Sequence, residues 1–256
     1  MLTVDLNGDV GESFGVYKVG NDRLLMKEVT SVNIACGYHA GDHNTMAQTV
    51  KMAAEQGLEI GAHPGYQDLI GFGRRSIQTT PEDIYHMIVY QVSSLKGFCQ
   101  LFQVPLKHVK PHGALYNEAA INREVADAIA QAVVDCDSSL ILYGLAGSEL
   151  IEAGQAKNLK VANEVFADRT YQGNGTLTPR HFGEKAIIQD EEVAVAQVLT
   201  MLKESKVLSI DGKWVPISAD TVCIHGDNDE AVQFGRRLRH ELEQEGITLA
   251  PVSSNS

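Results

Sequence analysis

The chain of 256 residues is predicted to fold as a parallel α/β barrel of about seven strands. Three observations lead there. Apolar, strand-like runs alternate with helix-like runs almost from end to end, which implies a parallel sheet with right-handed crossovers. Seven or eight such units favour a closed, irregular barrel over an open doubly wound sheet. Polar residues also gather where the strand-like runs end, and that is where parallel α/β folds bind ligands. Barrels of this kind reach this length as one domain, so residues 1–256 are read as a single domain.

The elements follow in order. The stretch Val4 to Glu12 opens the chain as a strand, and Asn21-Asp22 can cap a short helix through Glu28. Ser31 to Cys36 reads as a second strand, ended by Gly37. Thr45 to Gln56 is helical, with Met46, Val50 and Ala53 at helical spacing and Gly57 just past its end. Glu59 to His63 is a third strand, stopped by Pro64-Gly65. Thr80-Pro81-Glu82-Asp83 has a capping Thr, Pro in the first turn and then acids, so a helix starts there and runs to about Phe102. Lys107 to Lys110 is the fourth strand, and Arg123 to Val134 a helix. Ser139 to Tyr143 is an apolar run suited to a strand buried on both faces. A helix over Gly147 to Ala156, a strand over Lys160 to Phe166 and a helix over Glu191 to Lys203 come next. Thr221 to His225 is the last strand, and Asp229 to Glu245 the last helix. One segment interrupts the alternation: Leu208 to Val215 flanks Asp211-Gly212 with strand residues, the signal of a two-residue hairpin. It reads as an inserted surface hairpin at about 207–217 that carries Trp214. Ser253 to Ser256 reads as a frayed tail.

Bulk properties narrow the function classes. A formal charge of −12 opposes nucleic acid as a partner, since phosphate contacts need clustered Lys and Arg. No apolar run approaches the ~20 residues that span a bilayer, so no membrane association is expected. The N-terminus lacks a basic region and an apolar region, so no signal peptide is read there. Cys36, Cys99, Cys136 and Cys223 are widely spaced without a C-x-x-C pair, as in a reduced cytoplasmic protein.

The strand ends hold the chemistry. The first run contains Asp5, Asn7 and Asp9 at a spacing of two, hence on one face, and then Glu12. The second leads into His39, the third ends at His63, and the fourth carries His108, Lys110 and His112 on one face. The sixth ends in Glu164, Asp168 and Arg169, and the last in His225 and Asp227. One histidine at a strand end is ordinarily a packed or capping residue. Four beside several carboxylates mark a catalytic site. The candidate catalytic set is Asp5, Asn7, Glu12, His39, His63, Lys110, His112, Glu164, Asp168, His225 and Asp227. Lys110 inside a barrel requires an anion, either a neighbouring carboxylate or a ligand.

Other motifs fail. Asp5-x-Asn7-x-Asp9 begins like a calcium loop, but Val10 replaces its Gly and Val16 its terminal Glu. His39 and His43 lack the intervening Glu of a metalloprotease helix. Gly71-Phe72-Gly73 lacks the last Gly of a dinucleotide fingerprint, and no Walker A sequence is present. A surface turn explains Gly71 to Gly73 about as well as a functional role does. Arg74, Arg75, Arg169 and Arg180 remain as anion-binding candidates, because guanidinium groups suit phosphate and carboxylate.

Together, DLNGDVGESFG (Asp5 to Gly15), NIACGYHAGD (Asn33 to Asp42), GAHPGYQD (Gly61 to Asp68), GFGRR (Gly71 to Arg75), VKPHGALYN (Val109 to Asn117), EVFADRTYQGNGTLTPR (Glu164 to Arg180) and CIHGD (Cys223 to Asp227) resemble the LamB/YcsF family. His43, Gly65 and Asn174 depart from its usual Pro, Ser and Asp. The resemblance implies a distorted TIM-like barrel similar to that of polysaccharide deacetylases. It also implies the role of the A subunit in an ATP-dependent 5-oxoprolinase, which opens 5-oxo-L-proline to L-glutamate with release of ADP and phosphate. Partner subunits B and C are implied as well, with Mg2+ accompanying ATP. Glu12, Glu164, Asp168 and the strand-end histidines would then serve as acid or base, and Lys110, Arg169 or Arg180 would hold negative charge. Two other classes fit the same residues. One is a metal-dependent deacetylase or amidohydrolase with the ion on Asp5, His39 and His63. The other is a non-catalytic scaffold that delivers substrate to its partners.

Overall fold

The computed structural model describes residues 2–224 and 229–255. Its strands are β1 (Thr3–Val10), β2 (Ser31–Ala35), β3 (Glu59–His63), β4 (Leu106–Val109), β5 (Ile141–Leu145), β6 (Val161–Phe166), β7 (Lys206–Leu208), β8 (Trp214–Pro216), β9 (Thr221–Ile224) and β10 (Thr248–Leu249). Its helices are α1 (Asp22–Leu25), α2 (His43–Glu55), α3 (Pro81–Leu101), α4 (Gly113–Ala119), α5 (Arg123–Cys136), α6 (Glu149–Ala156), α7 (Glu191–Glu204) and α8 (Asp229–Gln244). Strands β1 to β6 lie in sequence order, and β9 closes the ring by pairing in parallel with both β6 and β1. The result is a closed barrel of seven parallel strands. Strand β10 continues the sheet outside the ring beside the start of β1, with Thr3 opposite Thr248.

Local sequence explains where the helices begin. Asp42 caps α2 by accepting from Asn44 N and Thr45 N, which starts that helix two residues ahead of the sequence expectation. Thr80 and Asp83 form a reciprocal capping box at α3, with Pro81 in the first turn. Asn122, Ser148 and Asp190 cap α5, α6 and α7. The apolar faces of these helices and the outward faces of the strands make one continuous core between barrel and helices. The polar faces of the strands therefore turn inward, and the barrel interior is hydrogen-bonded.

Three expectations change. The hairpin β7–β8 forms, with Leu208 opposite Trp214, but its loop is five residues long. Ser209 Oγ and C=O accept from Lys213 N and Gly212 N within that loop, and Ile210 N bonds Tyr171 C=O. Helix α4 has no counterpart among the expected elements, because seven residues of GALYNEA carry neither a capping side chain nor a long periodic stripe. The expected frayed tail is a 3-10 turn over Val252–Asn255. Val252 packs with Ile141, Tyr143 and Ala162, and Ser253 hydrogen-bonds Glu59, so this segment closes the barrel at the N-terminal ends of its strands.

Inside the ring, Gly61 has a steric purpose. A Cβ there would overlap the His108 imidazole, which crosses the barrel to bond Asn33 Oδ1 at 2.8 Å and stacks on Tyr143 at 4.2 Å. Gly61→Ala is expected to destabilise the protein by about 1–3 kcal/mol through overpacking. In chemical denaturation, Gly61→Ala/His108→Ala is expected to lose less than the sum of the single variants, because each relieves the other's fault. Strict additivity would mean that the ring does not set the requirement for glycine.

Candidate active site

The polar interior is layered along the strand direction. At the bottom, Asp5 is fully buried and accepts hydrogen bonds from the hydroxyls of Thr30 (2.6 Å), Ser31 (2.9 Å), Tyr143 (3.2 Å) and Thr221 (2.6 Å). Burial pushes its pKa up to about 6, against the pull of those donors. Asp5 was expected in the reacting set, and it sits instead about 13 Å from Asp9 along an extended strand. Above it, Asn7 donates to Glu164 Oε1 (2.9 Å) and Thr221 Oγ (2.7 Å), and its Oδ1 accepts from Asn33 (2.7 Å). These two residues are interior scaffold.

Lys110 forms the next layer. Its ammonium lies 2.8 Å from Glu164 Oε1, 3.0 Å from Asp9 Oδ1, and 3.1 Å from both Asn7 Oδ1 and Cys223 Sγ. Burial opposes its charge, but Asp9, Cys223 and Glu164 outweigh that and raise its pKa well above the usual lysine value. With three protons and four neighbours, Lys110 is saturated by the protein, which supplies the anions its position demanded.

At the mouth, Glu12, His39, His63 and His112 converge, with potential ligand atoms all within 4.8 Å of one another. His63 Nδ1 lies 2.7 Å from Lys110 C=O, and His112 Nε2 lies 2.8 Å from Phe72 C=O. Carbonyls only accept, so those nitrogens carry the hydrogens. His63 Nε2 and His112 Nδ1 are then bare lone pairs, and they face each other at 3.0 Å. His39 stacks on His112 at 3.7 Å, and both its ring nitrogens are buried without a hydrogen bond. Its Nε2 is 3.9 Å from Glu12 Oε1, and Asp9 Oδ2 is 3.3 Å from His63 Nε2. Burial, followed by the neighbouring imidazoles, holds His39 well below the usual histidine pKa and His112 at about 3. Burial thus keeps His112 from relieving the opposed lone pairs by taking a proton near neutrality, and a cation bound between them would relieve them. Two imidazole nitrogens on one ion at about 2.1 Å lie roughly 3 Å apart when they subtend a right angle, so the His63–His112 pair suits one ion.

The GFGRR segment forms the lid of this cluster. Gly73 has φ +62°, and a Cβ there would come within 2.6 Å of His39 Cβ and 2.9 Å of His112 Cδ2. The adjacent cavity, of about 470 Å³, is lined by Asp9, Glu12, His63, Lys110, His112 and Tyr116 among others. Of the arginines, Arg74 lines the cavity, with its guanidinium 5.1 Å from the Phe72 ring centre. Arg75 instead pairs with Asp68 and braces its own loop. Arg169 also lines the cavity, but its Nε and Nη2 donate to Ala186 C=O (3.1 Å) and Thr178 C=O (2.7 Å), which fixes the loop after β6. Asp168 is not a lining residue, and its carbonyl accepts from Ile188 N in that loop. His225, Asp227 and the side chain of Arg180 lie outside the described residues. Asp5, expected with His39 and His63 around an ion, is instead occupied by four hydroxyls, and the side chains whose ligand atoms converge are Glu12, His39, His63 and His112. Asp9 was missing from the candidate set, although the same spacing of two that selects Asp5 and Asn7 selects it and places it nearest the mouth.

Fold and site define a class: a seven-stranded parallel barrel with imidazoles and carboxylates gathered at a concave mouth. The chain matches the LamB/YcsF family over residues 4–256 and belongs to it. A protein of Halalkalibacterium halodurans, called the A subunit of 5-oxoprolinase, is 60% identical over 253 residues, 99% of this chain and 98% of that one. Its Bacillus subtilis namesake is 52% identical over 253 residues, with the same coverage. The crystal structure of a lactam utilization protein from Thermus thermophilus superposes with a TM-score of 0.91 at 41% identity, covering 97% of this chain and 99% of that one. Among the described residues, no helix is long and apolar enough to cross a membrane.

The buried imidazoles give stability a pH signature. His39, His108 and His112 stay neutral in the fold, the latter two with pKa values near 3 through burial first. Unfolded histidines take up protons below about 6.5, so each such group destabilises the fold as pH falls below that value. Asp5, raised to about 6, works the other way between its unfolded value of 3.8 and 6. Three groups outweigh one. In urea denaturation with a chelator present, the midpoint is expected to be lower at pH 5 than at pH 7, and a flat profile would contradict the neutral imidazoles.

Proposed function

We propose that this chain is the lactam-opening subunit of an ATP-dependent 5-oxoprolinase. The reaction converts 5-oxo-L-proline, ATP and two waters into L-glutamate, ADP and phosphate. The observation that carries this reading is the cluster of bare imidazole lone pairs and carboxylates at a cavity, in a chain matched end to end by proteins called the A subunit of 5-oxoprolinase. A lactam is an unactivated amide. Phosphorylation of its oxygen leaves C5 electrophilic and turns that oxygen into part of a leaving group. Water then adds to C5 and the ring C–N bond breaks, so the nitrogen leaves as the amine of glutamate. C5 is left as an acyl phosphate, which the second water hydrolyses to the carboxylate and phosphate.

The residues of this chain divide the second half of that chemistry. Asp9 is held by Lys110 and by Asn33 (2.8 Å) on Oδ1, while Oδ2 faces the cluster and is placed to take the proton of the attacking water. Lys110 and Glu164 are positioning residues that fix Asp9. Arg74 is the cavity guanidinium that meets the substrate carboxylate or phosphoryl charge. Glu12, His39, His63 and His112 would hold a divalent cation, which supplies electrostatic stabilisation of the oxygen on C5 when bound. ATP, with its Mg2+, is assigned to the partner subunits B and C, which deliver the activated lactam.

The test is glutamate release by this chain alone and with both partners, with and without ATP. ATP-dependent release by the complete complex is expected, and none from it would overturn the assignment. ATP-independent hydrolysis of amides by the chain alone would point instead to a metal-dependent amidohydrolase, which the same cluster suits. Elemental analysis of the purified chain is expected to find a stoichiometric divalent metal. His39→Ala is expected to lose that metal and at least about 10-fold in activity.

A further inference from the structure

The two mouth histidines with fixed tautomers depend on carbonyls of unequal footing. His63 bonds Lys110 C=O at the end of β4, where the backbone is itself paired, Lys110 N to Ala62 C=O at 2.9 Å. His112 bonds Phe72 C=O, which belongs to the lid. Phe72 has φ +54° and Gly73 φ +62°. A left-handed conformation is unfavourable for a residue with a Cβ, so it persists only where the surroundings hold it. A lid that drifts takes away the acceptor that keeps the His112 hydrogen on Nε2 and the lone pair on Nδ1.

The bonds that hold the lid fall at three points. At its entry, Asp68 accepts from Gly71 N (2.9 Å) and pairs with Arg75, which shapes the loop from within. At its middle, Gly73 C=O accepts from Ala114 N in the first turn of α4, at 2.9 Å. At its exit, the Ser76 hydroxyl donates to Glu118 Oε1, and Glu118 Oε2 accepts from the Tyr66 hydroxyl. Tyr66 is buried three residues after His63. Burial first, and then Glu118, raises the pKa of Tyr66, so its phenol keeps the proton that this bond needs. Glu118 lies on α4, six residues after His112. One carboxylate therefore joins the loop after His63, the exit of the lid and the helix that starts from His112.

We propose that Glu118 is a positioning residue of the mouth, whose carboxylate locks the lid onto α4 and so keeps Phe72 C=O on the His112 imidazole. That the lock serves lactam opening rests on the 5-oxoprolinase reading above; the lock itself does not.

Glu118 is half-buried, and Glu118→Ala removes both acceptors while keeping a good helix former. In the metal-free chain, hydrogen exchange followed by NMR is expected to show the Gly73 and Ala114 amides exchanging at least about 10-fold faster than in the parent, with the β1 and β2 amides unchanged. The imidazole nitrogen shifts of His112 are expected to move from a single Nε2–H tautomer to a mixture, which a merely structural brace would not produce. Glu118→Gln is expected to restore both, because its carbonyl accepts from Tyr66 and its amide donates to Ser76 Oγ. Should Glu118→Ala fail to fold, Ser76→Ala severs the lid alone at an exposed position and is expected to move the same signals. In the complete complex, Glu118→Ala is expected to lower kcat about 10-fold with KM for 5-oxoproline little changed. Lid amides within about twofold of the parent and an unaltered His112 would overturn the lock. So would faster exchange in β1 and β2 alike, or Glu118→Gln behaving like Glu118→Ala. A parent complex that releases no glutamate would sink the functional reading alone, and the exchange and tautomer measurements would still decide this one.

Discussion

The ammonium of Lys110 is the point on which the interior depends. A charge placed inside a barrel is tolerated only with paired and hydrogen-bonded surroundings. Here one Nζ gathers side chains from three other strands: Asn7 and Asp9 from β1, Glu164 from β6 and Cys223 from β9. The same strand backbone passes its Lys110 C=O to His63, which fixes that imidazole's tautomer and aims its lone pair outward. One residue thus joins the closure of the barrel to the orientation of the mouth. A hydrophobic replacement would leave Glu164 and Asp9 as unmatched buried charges, so the barrel and the site fail together.

Much of the architecture was legible because parallel α/β chains advertise it: caps such as Thr80-Pro81 and Asp42, apolar strands, and polar strand ends. Depth was not legible. A spacing of two places Asp5, Asn7 and Asp9 on one face but is silent on which of them reaches solvent. The answer depends on how far β1 runs past its neighbours, and β10 and the turn after it close the end where Asp5 lies. Arginines were the least readable. Whether a guanidinium is left to the cavity, like Arg74, or is held by its own loop, by the Asp68 carboxylate for Arg75 and by two carbonyls for Arg169, is settled by partner positions that no local pattern encodes.

Glycines connect the two levels. Gly61 gives up its side chain so that His108 can cross the ring, and Gly73 does so to lie against His39 and His112. Between the two readings open for Gly71 to Gly73, a surface turn or a functional segment, the contacts of Gly73 favour a close-fitting cover over the imidazoles.

The stopper at the other end has its own consequence. Val252, Ile141, Tyr143 and Ala162 fill the floor, and the Asp5 layer is tied off by four hydroxyls above it. Among the described residues the open end is the mouth, so small molecules would come and go there. Arrival and departure must alternate, so a spent product is also an obstruction. A second protein seated over that opening would act as a turnstile as well as a supplier.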